Sequence, residues 1–232
     1  LSFFNGSFLK IRISSILNEE QKKQVNIKLF FFLIAIILSG TIVIESLQKQ
    51  TKYIYNDKRA NTFFSPASTF KIPNTLIALN EELVNKDSII LWDKQIREYE
   101  SWNKNQTLES AFKTSCVWCY KEFASKIDKN KYKNYLEELN YGNKIIGDNI
   151  TDFWLDESLK ITAYGQIEFL KRLYKNDLPF KIENIDALKE IMIDEKTNDY
   201  IIRAKTGWEG KYGWYVGYIE TKDDVYFFAT NI

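Results

Sequence analysis

The stretch Ser65–Asn80, "SPASTFKIPNTLIALN", places a serine three residues before a lysine at the start of an apolar helical pattern. Residues i and i+3 of a helix share one face, so the Ser68 hydroxyl and the Lys71 amine can point into one cavity. A serine in the first turn also lies near backbone N–H groups that have no partner within the helix, and such groups can stabilise an oxyanion. Taken alone the pattern is weak, because a serine at a helix start is usually a cap.

The composition limits what can act beside this serine. The 232 residues include no histidine, which removes the commonest general base and the commonest metal ligand. They are 45% hydrophobic and 16% aromatic, enough for a sizeable core. Lysine plus arginine (32) nearly balances aspartate plus glutamate (31), whereas nucleic-acid-binding proteins show a strong basic excess. We therefore expect no nucleic-acid partner and no metal site.

The two cysteines, Cys116 and Cys119, form a CxxC motif within "KTSCVWCYKEFASKI" (113–127), a segment that we predict to be helical throughout. Redox motifs of this kind follow a strand and open a helix, and two cysteines cannot build a four-ligand zinc site alone. The pattern favours two small buried side chains on a helix, with redox or metal chemistry as the alternative.

The N-terminal part contains a ten-residue apolar run, "LFFFLIAIIL" (29–38), preceded by lysines and followed by Ser39 and Gly40. A run of this length suits the core of a signal peptide better than a membrane span, which needs about 20 residues. We predict that residues 1–39 are an upstream or signal segment and that the natural start lies near residue 27. The protein is then expected to be exported to the bacterial periplasm without a stable membrane span. A buried strand or helix is the alternative.

Apolar periodicity predicts the order of the secondary structure. The predicted strands are 41–46, 52–56, 200–207, 213–220 and 224–232, and the predicted helices lie near 68–83, 108–112, 163–174 and 188–192. Strands at both chain ends with helices between them predict an α+β fold. We expect a mostly antiparallel sheet built from both ends of the chain, flanked by helices, with a separate helical lobe.

Three later fragments strengthen the catalytic interpretation of Ser68. "SCV" (115–117) supplies a second serine, "YGN" (141–143) follows a helix and looks like a turn, and "KTG" (205–207) ends a predicted strand. S-x-x-K, a serine-containing triplet and K-T-G together are the signature of serine β-lactamases and penicillin-binding proteins. A KTG alone would indicate only a strand that ends at a glycine turn, but the ordered set indicates these enzymes.

Beyond the motifs, the sequence resembles the class D (oxacillinase-type) serine β-lactamases from about Gly40 to Ile232. The resemblance is carried by longer segments, namely "RANTFFSPASTFKIPNTLIALN", "SWNKNQTLESAFKTSCVWCY", "DFWLDESLKITAYGQIEFLKRLY" and "RAKTGW". It implies a single catalytic domain at 40–232 with the fold shared by β-lactamases and penicillin-binding transpeptidases. It also implies hydrolysis of a small β-lactam substrate, and it leaves the substrate spectrum and the oligomeric state open.

The resemblance also implies how a chain without histidine obtains a base. An ordinary lysine is protonated at neutral pH, but burial favours its neutral form, which can react with CO2 to give an anionic carbamate. Lys71 is the position that would carry this group, and CO2 or bicarbonate is the only cofactor implied. The family's pocket walls fall on Phe70, Val117, Trp154 and Leu155, and the Trp154 indole N–H would stabilise the carbamate.

The remaining roles follow from the same resemblance. Ser68 is the nucleophile, and the backbone N–H groups of Ser68 and Trp208 hold the oxyanion. Ser115 and Lys205 lie across the cleft and would pass a proton to the departing ring nitrogen. The catalytic set is therefore Ser68, Lys71, Ser115 and Lys205, and the substrate-binding set is Thr206, Gly207 and Trp208.

The chain departs from the family pattern at its C-terminus. Family members continue into a helix that carries an arginine for the substrate carboxylate, and the sequence given ends at Ile232. We therefore expect this helix to be missing, with apolar strand residues such as Phe227 and Phe228 exposed. Arg203 is a weak candidate to replace the absent arginine.

Three alternatives stay open. A β-lactam sensor domain would be acylated without turnover, but such sensors commonly have a polar residue where this chain has Val117. A penicillin-binding transpeptidase normally has asparagine at that position. An inactive truncated relic is the third alternative, and it follows from the expected loss of the C-terminal segment.

Overall fold

Six antiparallel strands, taken from both ends of the described chain, form the main sheet of the protein. The computed structural model describes residues 40–232, so the predicted upstream segment 1–39 with its apolar run lies outside the described residues. The strands of this sheet are β1 Thr41–Ser46, β2 Lys52–Tyr55, β5 Ile193–Lys196, β6 Tyr200–Trp208, β7 Gly213–Thr221 and β8 Val225–Asn231. They lie in the order β2-β1-β8-β7-β6-β5. A separate short pair joins β3 Ile89–Ile90 to β4 Gln106–Thr107.

Strand β1 joins the two ends of the chain. It pairs with its hairpin partner β2 and with the last strand β8, both antiparallel, so that Val43 lies opposite Ile54 on one side and Ala229 on the other. The predicted hairpin, the C-terminal meander, the shared sheet and the α+β class are therefore confirmed. Strand β5 is not predicted from the sequence, because its four residues, IDEK, carry no apolar alternation.

Seven α-helices occur within residues 40–232. Their bounds are α1 Asp57–Ala60, α2 Lys71–Asn80, α3 Leu108–Lys113, α4 Val117–Ser125, α5 Lys129–Glu138, α6 Ala163–Tyr174 and α7 Ile182–Ile191. In α6 the predicted amphipathic pattern is confirmed, since Ile167 and Leu170 are buried and the Thr162 side chain caps the helix by accepting from Gly165 N. None of these helices has the length and apolar character that a membrane crossing requires.

The hydrophobic core lies between one face of the sheet and the buried faces of the helices, within the compact unit Thr41–Asn231. On the sheet side it includes Val43, Val216 and Phe227, and α2, α4 and α6 supply much of the helical side. The Tyr174 ring of α6 lies 5.7 Å from the Phe227 ring. This contact fixes α6 against β8.

The prediction of one continuous helix across 113–127 was wrong. Helix α3 ends at Lys113 and α4 begins at Val117, and Ser115 between them has φ of +56°. The Ser115 N–H donates to Phe112 O and the Cys116 N–H to Ala111 O, which is the Schellman pattern that ends a helix. Helical periodicity hides this break because both sides of it are apolar and helical.

The expectation that Phe227 and Phe228 are exposed was also wrong, since both are buried. Phe227 faces α6. Phe228 points to the opposite face of the sheet, where its ring lies 5.0 Å from the ring of the buried Tyr215. Each phenylalanine is thus packed against an aromatic neighbour, which the sequence alone does not reveal.

Candidate active site

Ser68 lies in a buried 3-10 turn, Ala67–Phe70, that leads directly into α2. Ala67 has φ of +47°, a left-handed conformation that costs a residue other than glycine about 1–2 kcal/mol. The turn is held in place because the Ala67 N–H and the Ser65 hydroxyl both donate to Trp154 O, at 3.1 and 2.8 Å. Strained backbone that its surroundings fix in this way is common at catalytic positions.

Ser68 and Lys71 meet as the i, i+3 spacing predicts. Lys71 Nζ lies 3.0 Å from Ser68 Oγ, and the two residues are only 1% and 7% exposed. Burial lowers the pKa of Lys71 well below its usual value, and the positive charge of Lys205 lowers it further. No carboxylate pairs with Lys71 among residues 40–232, so no negative charge there stabilises its protonated form.

The residues predicted to form the wall around Lys71 include two aromatic side chains. Phe70 and Trp154 are fully buried and stack with ring centroids 5.7 Å apart. The Trp154 indole N–H is buried and has no hydrogen-bond partner in the described part of the chain. Val117 and Leu155, the other two predicted wall residues, are partly buried. The predicted wall residues therefore have apolar side chains apart from one buried donor, the Trp154 indole N–H, that has no partner in the described part of the chain.

The second predicted pair, Ser115 and Lys205, is also brought together. Lys205 Nζ donates to Ser115 Oγ at 2.5 Å and to Thr206 O at 3.0 Å. Burial lowers the pKa of Lys205 to about 7; the charge of Lys113 contributes in the same direction, while Asp194 opposes it. At neutral pH such an amine can both donate and accept a proton, as a proton relay requires.

The KTG triplet lies at the end of β6 directly against the turn that carries Ser68. A Cβ atom on Gly207 would lie 2.8 Å from Pro66 O and 3.2 Å from Thr69 N, so only glycine permits this approach. Thr206 is partly buried and Trp208 is 44% exposed. The triplet thus brings the backbone of Trp208 close to the Ser68 turn.

The YGN triplet is a turn, as predicted, and it supports the pocket rather than contributing a reactive group. Gly142 has φ of +59°, and a Cβ atom there would lie 2.2 Å from Lys160 O. The Asn143 side chain accepts from Lys160 N and donates to Ser158 O, which ties this turn to the loop that follows Trp154. The Tyr141 ring packs 5.6 Å from the Phe70 ring.

Arg203 is not available to bind a substrate carboxylate. Its Nε donates to Glu220 at 2.7 Å, and its Nη1 donates to Lys189 O at 2.5 Å and lies 3.4 Å from Glu190. These contacts with β7 and α7 engage the guanidinium. Arg203 is therefore a weak candidate for binding the substrate carboxylate, as the sequence predicts.

The two cysteines form a disulfide, with Cα atoms 5.6 Å apart. The expectation of two small buried side chains is right about burial, since both residues are 0% exposed, but it did not include a bond between the two sulfurs. Cys116 lies at the N-cap of α4 and Cys119 in its first turn. This placement at the start of a helix brings the two sulfurs together. It depends on the break between α3 and α4, which the sequence does not predict.

Several residues near the site escape sequence analysis. The Tyr120 ring lies 5.0 Å from Lys71 Nζ, and its hydroxyl shares a hydrogen bond with Thr75. Gln166 of α6 donates to Thr69 Oγ1 beside the nucleophile at 2.9 Å. These contacts join segments far apart in the chain, and no local motif signals them.

Comparisons with known proteins agree with this geometry. Residues 37–232 match the model of the penicillin binding protein transpeptidase domain. Beta-lactamase OXA-20 of Pseudomonas aeruginosa is 45% identical over 196 residues, which cover 83% of this chain and 74% of the relative. The regulatory protein BlaR1 of Bacillus licheniformis is 35% identical over 84% of this chain but only 33% of its own length.

Solved structures give the same result. The crystal structure of the class D β-lactamase YbXI from Nostoc superposes with a TM-score of 0.83 at 40% identity, covering 90% of this chain and 89% of that one. Sequence identity of 40% over nearly the whole of both chains shows that the two proteins share a family as well as a fold. The site geometry and the comparisons therefore indicate the same family of enzymes.

Proposed function

The chain belongs to the class D β-lactamases, and we propose from that premise that it hydrolyses β-lactams through an acyl-enzyme on Ser68. One observation carries the proposal. A serine hydroxyl lies 3.0 Å from a fully buried lysine amine whose pKa burial lowers, in a chain that has no histidine. Nucleophilic serine chemistry needs an adjacent base, and Lys71 is the group in that position.

The residues around Lys71 fit a carbamate formed from the neutral amine and CO2, with release of one proton. Trp154 supports this fit most directly, because its buried N–H lacks a partner among residues 40–232 and would donate to an anionic oxygen. The apolar neighbours Phe70, Val117 and Leu155 would limit water. When present, the carbamate would supply an anionic base beside Ser68, a role that a lysine with its usual pKa could not fill.

The protein's own groups then account for acylation. Ser68 Oγ attacks the β-lactam carbonyl carbon, and the C–N bond of the ring breaks. The backbone N–H groups of Ser68 and Trp208 would hold the developing oxyanion, which the close approach of Gly207 to the Ser68 turn supports. Hydrolysis of the ester by one water molecule, for which Lys71 would again supply the base, regenerates Ser68.

Ser115 and Lys205 are placed to serve the departing nitrogen. The 2.5 Å hydrogen bond between them and a pKa of about 7 for Lys205 favour proton transfer through the Ser115 hydroxyl. Lys205 and Thr206 would also bind the carboxylate that β-lactam substrates carry. Because Arg203 is engaged elsewhere, this pair would provide the carboxylate contacts within the described residues.

A β-lactam sensor is the second candidate, and the similarity to BlaR1 is the observation that favours it. A sensor would use the same serine and the same acylation step but would not release the product. Val117 favours hydrolysis, because an apolar side chain at the wall position that the family resemblance assigns to Val117 would help to keep the Lys71 amine neutral. The two functions differ only in deacylation, so one experiment separates them.

We also propose export, as the predicted segment 1–39 implies. The Cys116–Cys119 disulfide supports an oxidising compartment, because disulfides persist outside the cytosol and are rare within it.

Mass spectrometry after brief exposure to penicillin tests the proposed function. The experiment uses wild type and Lys71→Ala, each with and without bicarbonate. We expect a penicillin adduct on Ser68 that disappears within turnover time in wild type with bicarbonate and persists when bicarbonate is removed. A persistent adduct in wild type under all conditions would indicate the sensor. A Lys71→Ala variant that forms and releases the adduct as fast as wild type would refute the mechanism.

A further inference from the structure

The Cys116–Cys119 disulfide lies next to a residue of the active site in a strained conformation. Ser115 has φ of +56°, a value that residues other than glycine rarely adopt. Its hydroxyl must nevertheless stay within hydrogen-bond distance of Lys205 Nζ, at 2.5 Å. A strained residue keeps its position only when the structure restrains it from both sides.

The restraint before Ser115 comes from α3. The Ser115 N–H donates to Phe112 O at 3.2 Å and the Cys116 N–H donates to Ala111 O at 2.9 Å, as in a helix that ends with a left-handed residue. That position normally favours glycine. Here a serine occupies it, and its side chain accepts from Lys205 Nζ.

The restraint after Ser115 is covalent. Cys116 is the N-cap of α4, yet its side chain makes no capping hydrogen bond. A serine, threonine or aspartate at that position would accept from the first-turn N–H groups, whereas the cysteine sulfur is bonded to Cys119 one turn further on. Both cysteines are fully buried, so the bridge is part of the packed interior.

We propose that the Cys116–Cys119 disulfide is a positioning element that holds Ser115 opposite Lys205 during β-lactam ring opening, an inference that rests on the proposed function. The bridge acts as a covalent N-cap for α4 and fixes the Cα of Cys116. The hydrogen bonds of the α3 terminus fix the other side. Ser115 therefore lies between two restrained segments, the end of α3 before it and Cys116 directly after it.

Other contacts keep this region folded when the bridge is absent. The Trp102 indole N–H donates to Thr114 O at 2.9 Å, and the Trp118 indole N–H donates to Trp102 O at 3.0 Å. Loss of the disulfide should therefore loosen Ser115 without unfolding the helices. Misplacement of a catalytic group by about 1 Å costs on the order of a hundredfold in rate.

The test compares wild type with Cys116→Ala/Cys119→Ala, using rapid-quench mass spectrometry of penicillin acylation. We expect the acylation rate constant to fall by about tenfold or more, toward the hundredfold cost of a 1 Å displacement. In a Ser115→Ala background the same double substitution should have almost no further effect, because the bridge acts through Ser115. An unchanged rate, or an equal loss in both backgrounds, would overturn the proposal.

Two further variants make the test specific. Ser110→Ala removes the capping box at the opposite end of α3 and should weaken the helix without slowing acylation to the same extent. Cys116→Ser/Cys119→Ala replaces the covalent cap with a hydrogen-bonding one and should recover part of the lost rate. If Ser110→Ala slows acylation as much as loss of the bridge, the effect is general destabilisation and the proposal fails.

Hydrogen exchange provides a readout that does not depend on catalysis. In Cys116→Ala/Cys119→Ala the amide protons of Ser115 and Cys116 should exchange at least about tenfold faster, while those of α6 should not change. Unchanged exchange at these two amides would refute the positioning role even if the enzyme were inactive. Failure of wild type to form any penicillin adduct would instead refute the proposed function.

Discussion

Replacement of Trp154 by phenylalanine removes a single polar atom from the pocket wall that we propose around Lys71. The indole N–H of Trp154 is buried and has no partner in the described part of the chain, and its ring stacks on Phe70 with centroids 5.7 Å apart. Phenylalanine preserves an aromatic ring in this stack but cannot donate. The substitution therefore isolates the hydrogen bond that we assign to the carbamate.

The type of hydrogen bond that is lost sets the expected decrease in CO2 retention. A hydrogen bond to a charged group contributes about 1.5–3 kcal/mol. Because about 1.4 kcal/mol corresponds to a tenfold change in an equilibrium constant, Trp154→Phe should weaken CO2 retention by roughly 10- to 150-fold. In bicarbonate-free buffer the variant loses some packing but also loses a buried donor without a partner, which costs about 1–3 kcal/mol in wild type. Its stability there should be close to that of wild type.

Two assays follow from these numbers. The bicarbonate concentration for half-maximal penicillin turnover should rise in Trp154→Phe by the factor given above. Added bicarbonate should raise the melting temperature of wild type, since a ligand stabilises the state that binds it, and should raise that of the variant less. Trp92→Phe is the matched control, because the Trp92 indole N–H already donates to Gln95 O in a surface loop. Equal bicarbonate dependence in Trp154→Phe and wild type would refute the assignment.

Three further predictions concern Lys71 and Arg203. Lys71→Met should abolish turnover yet raise the melting temperature in bicarbonate-free buffer. In the folded protein the pKa of Lys71 lies well below its usual value, so the folded state binds fewer protons than the unfolded state. Wild type therefore gains stability as pH rises from the lowered pKa toward about 10.4, and below that window it bears the full cost of a buried charge. The gain of Lys71→Met over wild type should therefore be largest at low pH, with the exposed Lys133→Met as a control, and a lower melting temperature at every pH would contradict this reasoning. The acid limb of turnover should shift to lower pH as bicarbonate is increased, because CO2 captures only the neutral amine of Lys71 and thereby favours its deprotonation; a limb that stays fixed across bicarbonate concentrations would argue against this. Arg203→Gln should lower the unfolding free energy by about 1–3 kcal/mol, since it breaks the hydrogen-bonded pair with Glu220, and it should leave kcat/KM for penicillin within about twofold of wild type; a rise in KM of tenfold or more would place Arg203 in the substrate site instead.

Local sequence patterns predicted most of the fold. Strands β1, β2, β6, β7 and β8 follow alternating apolar residues, and α6 follows a helical repeat, because in each case one face is buried against the core. Strand β5 was missed because its residues are polar and only partly buried. The break between α3 and α4 was missed because a serine, rather than a glycine, adopts the left-handed conformation at Ser115.

The candidate site was predictable where its groups are close in sequence or belong to a family motif. The Ser68–Lys71 contact follows from helical geometry, and the Ser115–Lys205 pair was expected only from the resemblance to class D enzymes. Tertiary contacts such as Tyr120 beneath Lys71 could not be predicted, because they join residues on separate helices. The assigned roles of the site residues remain predictions.

The chemistry proposed here depends on the Lys71 amine, which burial keeps neutral so that it captures CO2 and becomes the base for Ser68. Carbon-13 NMR of the protein in buffer with 13C-labelled bicarbonate would detect the product of that reaction. We expect a carbamate resonance in wild type that is absent in Lys71→Ala, diminishes as the pH falls and is weaker in Trp154→Phe. An enzyme that turns over penicillin while showing no such resonance, or showing it unchanged in Lys71→Ala, would refute the proposed role of Lys71.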